Sequence, residues 1–134
     1  MSDRYLLDTH VLLWAVAQPE RLDRSICTII ENNRYLVSVA SLWELLNKKL
    51  RRDAPVKDPV AWWEQYIVRQ RTSVIPIRSP HVAHLDGLPW HHRDPFDRIL
   101  IAQSIVERAP LVTADEEIRQ YDVATLCPSG ESRL

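Results

Sequence analysis

Four acidic side chains, far apart in the chain, are placed where they could share one job. Asp8 closes the run RYLLD (4–8), Glu44 lies in SLWELLNKKLRR (41–52), Asp97 stands in RDPFDRIL (93–100) and Asp115 follows PLVT (110–113). Carboxylates brought together repel, so the cluster must take up protons, spread apart or bind a cation. Mg2+ or Mn2+ fits such a cluster, because a hard cation prefers oxygen ligands and uses few carboxylates plus waters and substrate phosphate. Two such ions about 3.5–4 Å apart can activate a water and stabilise the leaving oxygen in phosphodiester cleavage. Each acid also has a plain structural use. Ser41 and Glu44 spell a capping box, Asp94 and Asp97 flank Pro95 at a helix start, Asp115 can be an N-cap and Asp8 a turn residue. Helix punctuation accounts for any one of them. Only their convergence would make a site. Asp94 is assigned to the cap, where it sets the angle at which Asp97 is presented.

Convergence depends on the elements that carry these residues. Apolar runs at 4–8, 34–39, 73–77, 110–113 and 123–126 read as short strands, the third at an edge because of Pro76. Between them lie helical patterns at 9–18, from Asp23 to about Asn32, at 41–52 with Ser41 as N-cap, at 58–70, 79–88 and 94–108, and a short one at 115–121. Strands alternating with helices predict an α/β fold: one three-layer domain over 1–134, with a central, mostly parallel sheet of four to five strands flanked by helices. Ligands bind such sheets beyond the carboxyl ends of the strands. Asp8, Glu44 and Asp115 follow strands. Asp97 starts the helix that runs back before the fourth strand, so all four acids fall on the same edge.

Composition narrows the chemistry. The 134 residues carry a net charge of −1, with 26% charged and 46% hydrophobic residues, an ordinary globular balance with no strong general pull on nucleic acid. Basic clusters at 48–52, 69–71 and 91–93 read first as solvated helix ends and loops. Only two glycines, Gly87 and Gly130, are present, so neither a GxGxxG nor a Walker-type loop can cradle phosphates; side chains or metal ions must do so. An early charge and the lack of a membrane-length apolar run predict a cytoplasmic protein with no membrane association, in which Cys27 and Cys127 stay reduced.

The segments LLDTHVLLW (6–14), SVASLWELLNKK (38–49), HRDPFDRILIAQS (92–104) and LVTADEEIRQYDV (111–123), in this order and spacing, resemble the PIN-domain ribonucleases of the VapC toxin type over nearly the whole chain. The resemblance implies a PIN-like nuclease fold and a Mg2+- or Mn2+-dependent endoribonuclease, neutralised by a VapB-type antitoxin and forming a homodimer. It implies that Asp8 and Asp97 are the principal metal ligands, that Glu44 binds metal directly or through water, and that Asp115 completes the acidic site from further back. Thr9 and Thr113 flank the acids as hydrogen-bonding supports. Arg98 either meets substrate phosphate or serves the surface. His10 stands where relatives often carry asparagine.

Three other readings compete. His81, His84, His91 and His92 invite zinc, but no spaced cysteines accompany them, which favours surface or RNA-facing roles. Of five tryptophans, Trp14, Trp43, Trp62 and Trp63 fall in helical patterns and belong in core or interface. Trp90, beside HHRD, is the one placed to stack on RNA. A receiver domain would need a phosphoaccepting aspartate after the third strand, and SVIPIRSP has none. An inactive PIN-fold binding module remains as the alternative, against which the complete acid set argues.

Overall fold

The computed structural model describes residues 4–128 and, as backbone strand, 132–133. Strands β1 (Tyr5–Leu7), β2 (Tyr35–Ser38), β3 (Val74–Ile75), β4 (Leu111–Val112) and β5 (Thr125–Leu126) lie in the order β3-β2-β1-β4-β5, all neighbours parallel. A sixth strand, β6 (Ser132–Arg133), pairs antiparallel with β5. It falls in the tail, where no strand is predicted. Helices α1 (Thr9–Ala17), α2 (Arg24–Glu31), α3 (Val39–Asn47), α4 (Pro59–Trp63, prolonged by a π turn over Glu64–Val68), α5 (Ser79–His84) and α6 (Pro95–Glu107) cover the sheet.

Successive strand residues face opposite sides of the sheet. Leu6, Leu36 and Leu111 therefore pack with Ile99, Leu100, Ile101 and Ala102 of α6. Leu7, Val37, Val112 and Leu126 pack with Val11, Leu12, Ile26, Ile29 and Trp63 of α1, α2 and α4. Two apolar layers separated by one sheet explain why the strands are continuous apolar runs rather than alternating ones. Each fully buried leucine contributes about 1.5–3 kcal/mol relative to exposure. β3, carrying the chain toward Pro76, is the edge strand on its side.

The N-terminal ends of the helices are where local sequence speaks most directly. Asp23, Asp58 and Asp94 cap α2, α4 and α6, with Pro59 and Pro95 in the first turns. For α3 the expectation fails. The cap is Ser38, whose Oγ accepts from the Ala40 N–H at 3.0 Å, because β2 enters the helix with no intervening loop. Ser41 lies inside the helix and shares a 2.9 Å hydrogen bond with Thr9 Oγ1. The Ser41–Glu44 capping box does not exist, so Glu44 is not explained as a cap, and α3 stops at Asn47 rather than 52.

The helix expected at 115–121 is a turn followed by the 3-10 segment Ile118–Gln120. The Asp115 carboxylate accepts from the Glu117 N–H at 2.8 Å, closing an Asx-type turn before a helix can start. With glycine scarce, Asn33, Arg71 and Arg108 take the left-handed backbone conformation themselves, Arg108 at the end of α6.

Candidate active site

The sheet order makes its own crevice. From β1 the chain builds outward through β2 and β3, then returns to place β4 on the other side of β1. The carboxyl ends of β1 and β4 flank this reversal, where open parallel sheets bind ligands. Asp8 follows β1 and Thr113 follows β4, and both are buried.

Asp8 is tightly held. Its Oδ1 caps α1 by accepting from the Val11 N–H at 2.8 Å, and the Thr113 side chain also hydrogen-bonds its carboxylate. Thr113 Oγ1 in turn accepts from the Asp115 N–H at 3.1 Å, so one threonine ties two of the acids together. Thr9 does not touch an acid through a bond seen here; it joins α1 to α3 through Ser41. Burial pushes the Asp8 carboxyl up to about 6 against the lowering pull of these hydrogen bonds, and Glu44 adds to the rise.

Glu44 is buried on α3. One oxygen, Oε2, meets Lys48 Nζ at 2.6 Å one turn on, and the other, Oε1, is buried without a hydrogen-bond partner. Asp97 sits at the third position of α6, its own N–H bonded to the Asp94 cap at 3.2 Å. Burial pushes its carboxyl up to about 8, and the charges of Asp94, Glu44, Asp8 and Asp115 push in the same direction. The structure thus brings Asp8, Glu44, Asp97 and Asp115 within electrostatic reach of one another.

Two members of the cluster are missed in the sequence. His92 Nε2 lies 2.9 Å from Asp97 Oδ2, 3.3 Å from Asp115 Oδ2 and 3.4 Å from Glu117 Oε2. His92 is neither a surface residue nor turned outward to RNA, and Glu117 joins the acids through it. Spacing hides both: Glu117 reads as one of three charges in DEE, and His92 as one of two histidines in a polar loop. The paired acids beyond strand four are the only signal that could have raised Glu117.

The sequence model of the PIN domain matches residues 5–124. The chain belongs to the PIN-domain family. Ribonuclease VapC22 of Mycobacterium tuberculosis is 30% identical over 123 residues, covering 87% of this chain and 90% of the relative. Among solved structures, the DNA-bound VapBC of Salmonella typhimurium superposes with a TM-score of 0.63 at 17% identity, covering 87% of this chain and 90% of that one. VapBC2 of Rickettsia felis, bound to a promoter DNA fragment, gives 0.59 at 15% identity over 88% and 92%. These likenesses confirm the α/β fold with its parallel sheet between helical layers.

In this PIN domain Arg98 has neither of its expected uses. It is 4% exposed and makes no bond to the acids. Its Nη1 donates to Pro89 O at 2.8 Å and Tyr121 Oη at 3.3 Å, and its Nη2 to Leu85 O and Leu88 O at 3.4 Å. Its guanidinium also lies 3.7 Å from the centre of the Trp90 ring, which remains 73% exposed. Arg98 is a buried clamp on the 85–92 loop, and Trp90 is displayed on top of it. The other histidines have local uses. His81, fully buried, accepts from the Arg78 N–H through Nδ1 at 2.9 Å, and His91 packs edge-on against Tyr121. Neither Cys27 nor Cys127 is in a disulfide, and no helix among the described residues is long and apolar enough to cross a membrane.

The raised acids give the PIN domain a pH signature. Asp8 and Asp97 hold protons more tightly folded than unfolded. Their stabilising contribution is therefore complete below about pH 4 and is lost as pH rises through about 6 for Asp8 and about 8 for Asp97. In EDTA, the melting temperature should fall by roughly 5–10 °C between pH 5 and pH 8. Millimolar Mg2+ should flatten the slope. A melting temperature that rises across this window would contradict the electrostatics.

Proposed function

We propose that this protein is a VapC-type toxin: a single-domain cytoplasmic endoribonuclease that uses Mg2+ or Mn2+ and is neutralised by a VapB-type antitoxin. The observation that carries the proposal is a set of mutually repelling carboxylates at the reversal between β1 and β4, Asp8 and Glu44 buried and Asp97 and Asp115 partly so. Two of them, Asp8 and Asp97, are held above their ordinary range, and one oxygen of Glu44 is buried with nothing to bond. Acids so placed, with Lys48 meeting only one oxygen of Glu44, fit a hard divalent cation. Asp8, Glu44 and Asp97 would hold it, and Asp115 would complete the site with Thr113 at its back. When bound, the cation supplies Lewis-acid activation of water and neutralises charge building on the phosphodiester.

The chain's own residues would then orient the RNA. Lys48 and Arg51 line a pocket of about 220 Å3 with His10, Asp53 and Pro55. Through Lys48 this pocket adjoins Glu44, and it offers cationic side chains to the flanking backbone. On the α6 side, exposed Trp90 offers a flat face for an unstacked base, an interaction worth about 1–3 kcal/mol per base. The related proteins named VapC22 and VapBC support the antitoxin partner, and a homodimer is part of the same reading.

Incubation of single-stranded RNA with the purified protein tests the proposal. Cleavage should require Mg2+ or Mn2+, stop with EDTA and resume when the metal is restored. The new ends should be a 5′-phosphate and a 3′-hydroxyl, because the site presents no nucleophilic side chain. Cleavage that survives EDTA, or a 2′,3′-cyclic phosphate product, would overturn the metal-assisted reading. No cleavage with either metal would favour the inactive binding module.

A further inference from the structure

His92 is held by its backbone and by its ring. Its backbone N–H donates to Tyr121 Oη at 2.8 Å, and that hydroxyl returns a bond to the His92 carbonyl at 3.3 Å. Tyr121 is itself held by Arg98. The decisive contact is at the other ring nitrogen: Nδ1 accepts from the Asp94 backbone N–H at 3.1 Å. A nitrogen that accepts carries no proton, so Nδ1 is bare and the ring's N–H sits on Nε2. Nε2 is the atom that faces Asp97, Asp115 and Glu117.

His92, Asp115 and Glu117 lie close enough together to pass for a metal site. The tautomer argues otherwise. A metal-binding histidine presents a bare nitrogen to the ion and normally donates its other N–H to a partner. Here the arrangement is reversed, with the bare nitrogen facing a backbone N–H and the proton facing the acids. We infer that His92 is a positioning residue, an Nε2–H donor to Asp115 that lies against the carboxylates of Asp97 and Glu117 and itself stays off the metal. The peptide that caps α6 thereby sets the tautomer, since Asp94 supplies both the helix cap and the N–H that locks the ring.

This inference rests on the metal-dependent reading above, and its test separates the two. In protein labelled with 15N at histidine, long-range 1H–15N correlation reports which ring nitrogen carries the proton. His92 should show the Nε2–H tautomer in EDTA and keep it when Mg2+ or Zn2+ is added. Loss of the Nε2 proton, or a switch to Nδ1–H on adding either metal, would make His92 a ligand and overturn the inference. So would an Nδ1–H or doubly protonated ring in EDTA.

Variants add a second readout. Gln can place an amide N–H near the Nε2 position, whereas Leu cannot donate at all. His92→Gln should keep Mg2+ affinity, measured by calorimetry, within about threefold of the parent. His92→Leu, checked for folding by circular dichroism, should weaken Mg2+ binding about tenfold and lower kcat with little change in KM. Equal loss in both variants, or no loss in His92→Leu, would overturn the positioning role. If the parent protein binds no Mg2+, the metal reading fails, while the tautomer in EDTA still decides the arrangement of His92.

Discussion

Asp97→Asn abolishes RNA cleavage while making the EDTA-treated protein more stable. The rate should fall by about three orders of magnitude or more, because a neutral amide removes one of the proposed charged ligands from the place where transition-state charge must be balanced. Stability should move in the opposite direction. Asp97 is held up to about 8 by burial and by four neighbouring acids, so near neutral pH the metal-free fold must take up a proton there that the unfolded chain does not hold. The amide needs no proton and carries no charge, so that cost disappears. Some helix-dipole stabilisation is lost, since a negative charge in the first turn of α6 is favourable by about 0.3–1 kcal/mol. The net gain should be about 1–3 kcal/mol at pH 8, read as a rise of roughly 5–10 °C in melting temperature in EDTA. The advantage should shrink below pH 5 and reverse with saturating Mg2+, which stabilises only the parent. A variant that is inactive and also less stable in EDTA would mean that Asp97 is chiefly structural.

The same residue shows why much of the site was legible in the sequence. Its acids stand at the ends of apolar runs, and the runs themselves carry the period that predicts a parallel sheet. Once Leu6–Leu7, Leu36–Val37 and Leu111–Val112 are buried on both faces, Asp8, Glu44, Asp97 and Asp115 have one edge on which to emerge. Spacing could not disclose the path of the 85–94 loop. LPWHHRD has no hydrophobic period, and its course is decided by hydrogen bonds from Arg98 and Tyr121, which are distant in sequence. His92 is carried into the acids by that path, and Arg98 is drawn out of the site by the same bonds. Ser41 misled for a related reason: S-x-x-E is a local signal, and the direct passage from β2 into α3 moved the cap three residues earlier.

Arg98 yields the second large effect, and it separates a clamp from a substrate contact. Arg98→Ala should destabilise the protein by about 3 kcal/mol or more, seen as a fall of roughly 10–15 °C in melting temperature. The 2.8 Å bond to Pro89 O is charge-assisted, and removing the side chain leaves the buried Leu88 carbonyl, the partly buried carbonyls at 85 and 89 and the Tyr121 hydroxyl short of a donor. The stack beneath Trp90 disappears as well. Arg98→Lys should recover less than half of the loss, because a point-like ammonium cannot serve acceptors spread around a planar fork. Cleavage should weaken in both variants through two routes: Trp90 is no longer pinned for RNA, and Tyr121 no longer anchors His92 beneath Asp97. A phosphate contact would behave differently, with a raised KM, an unchanged melting temperature and near-full rescue by lysine. That pattern would return Arg98 to the substrate and leave the 85–92 loop without its proposed support.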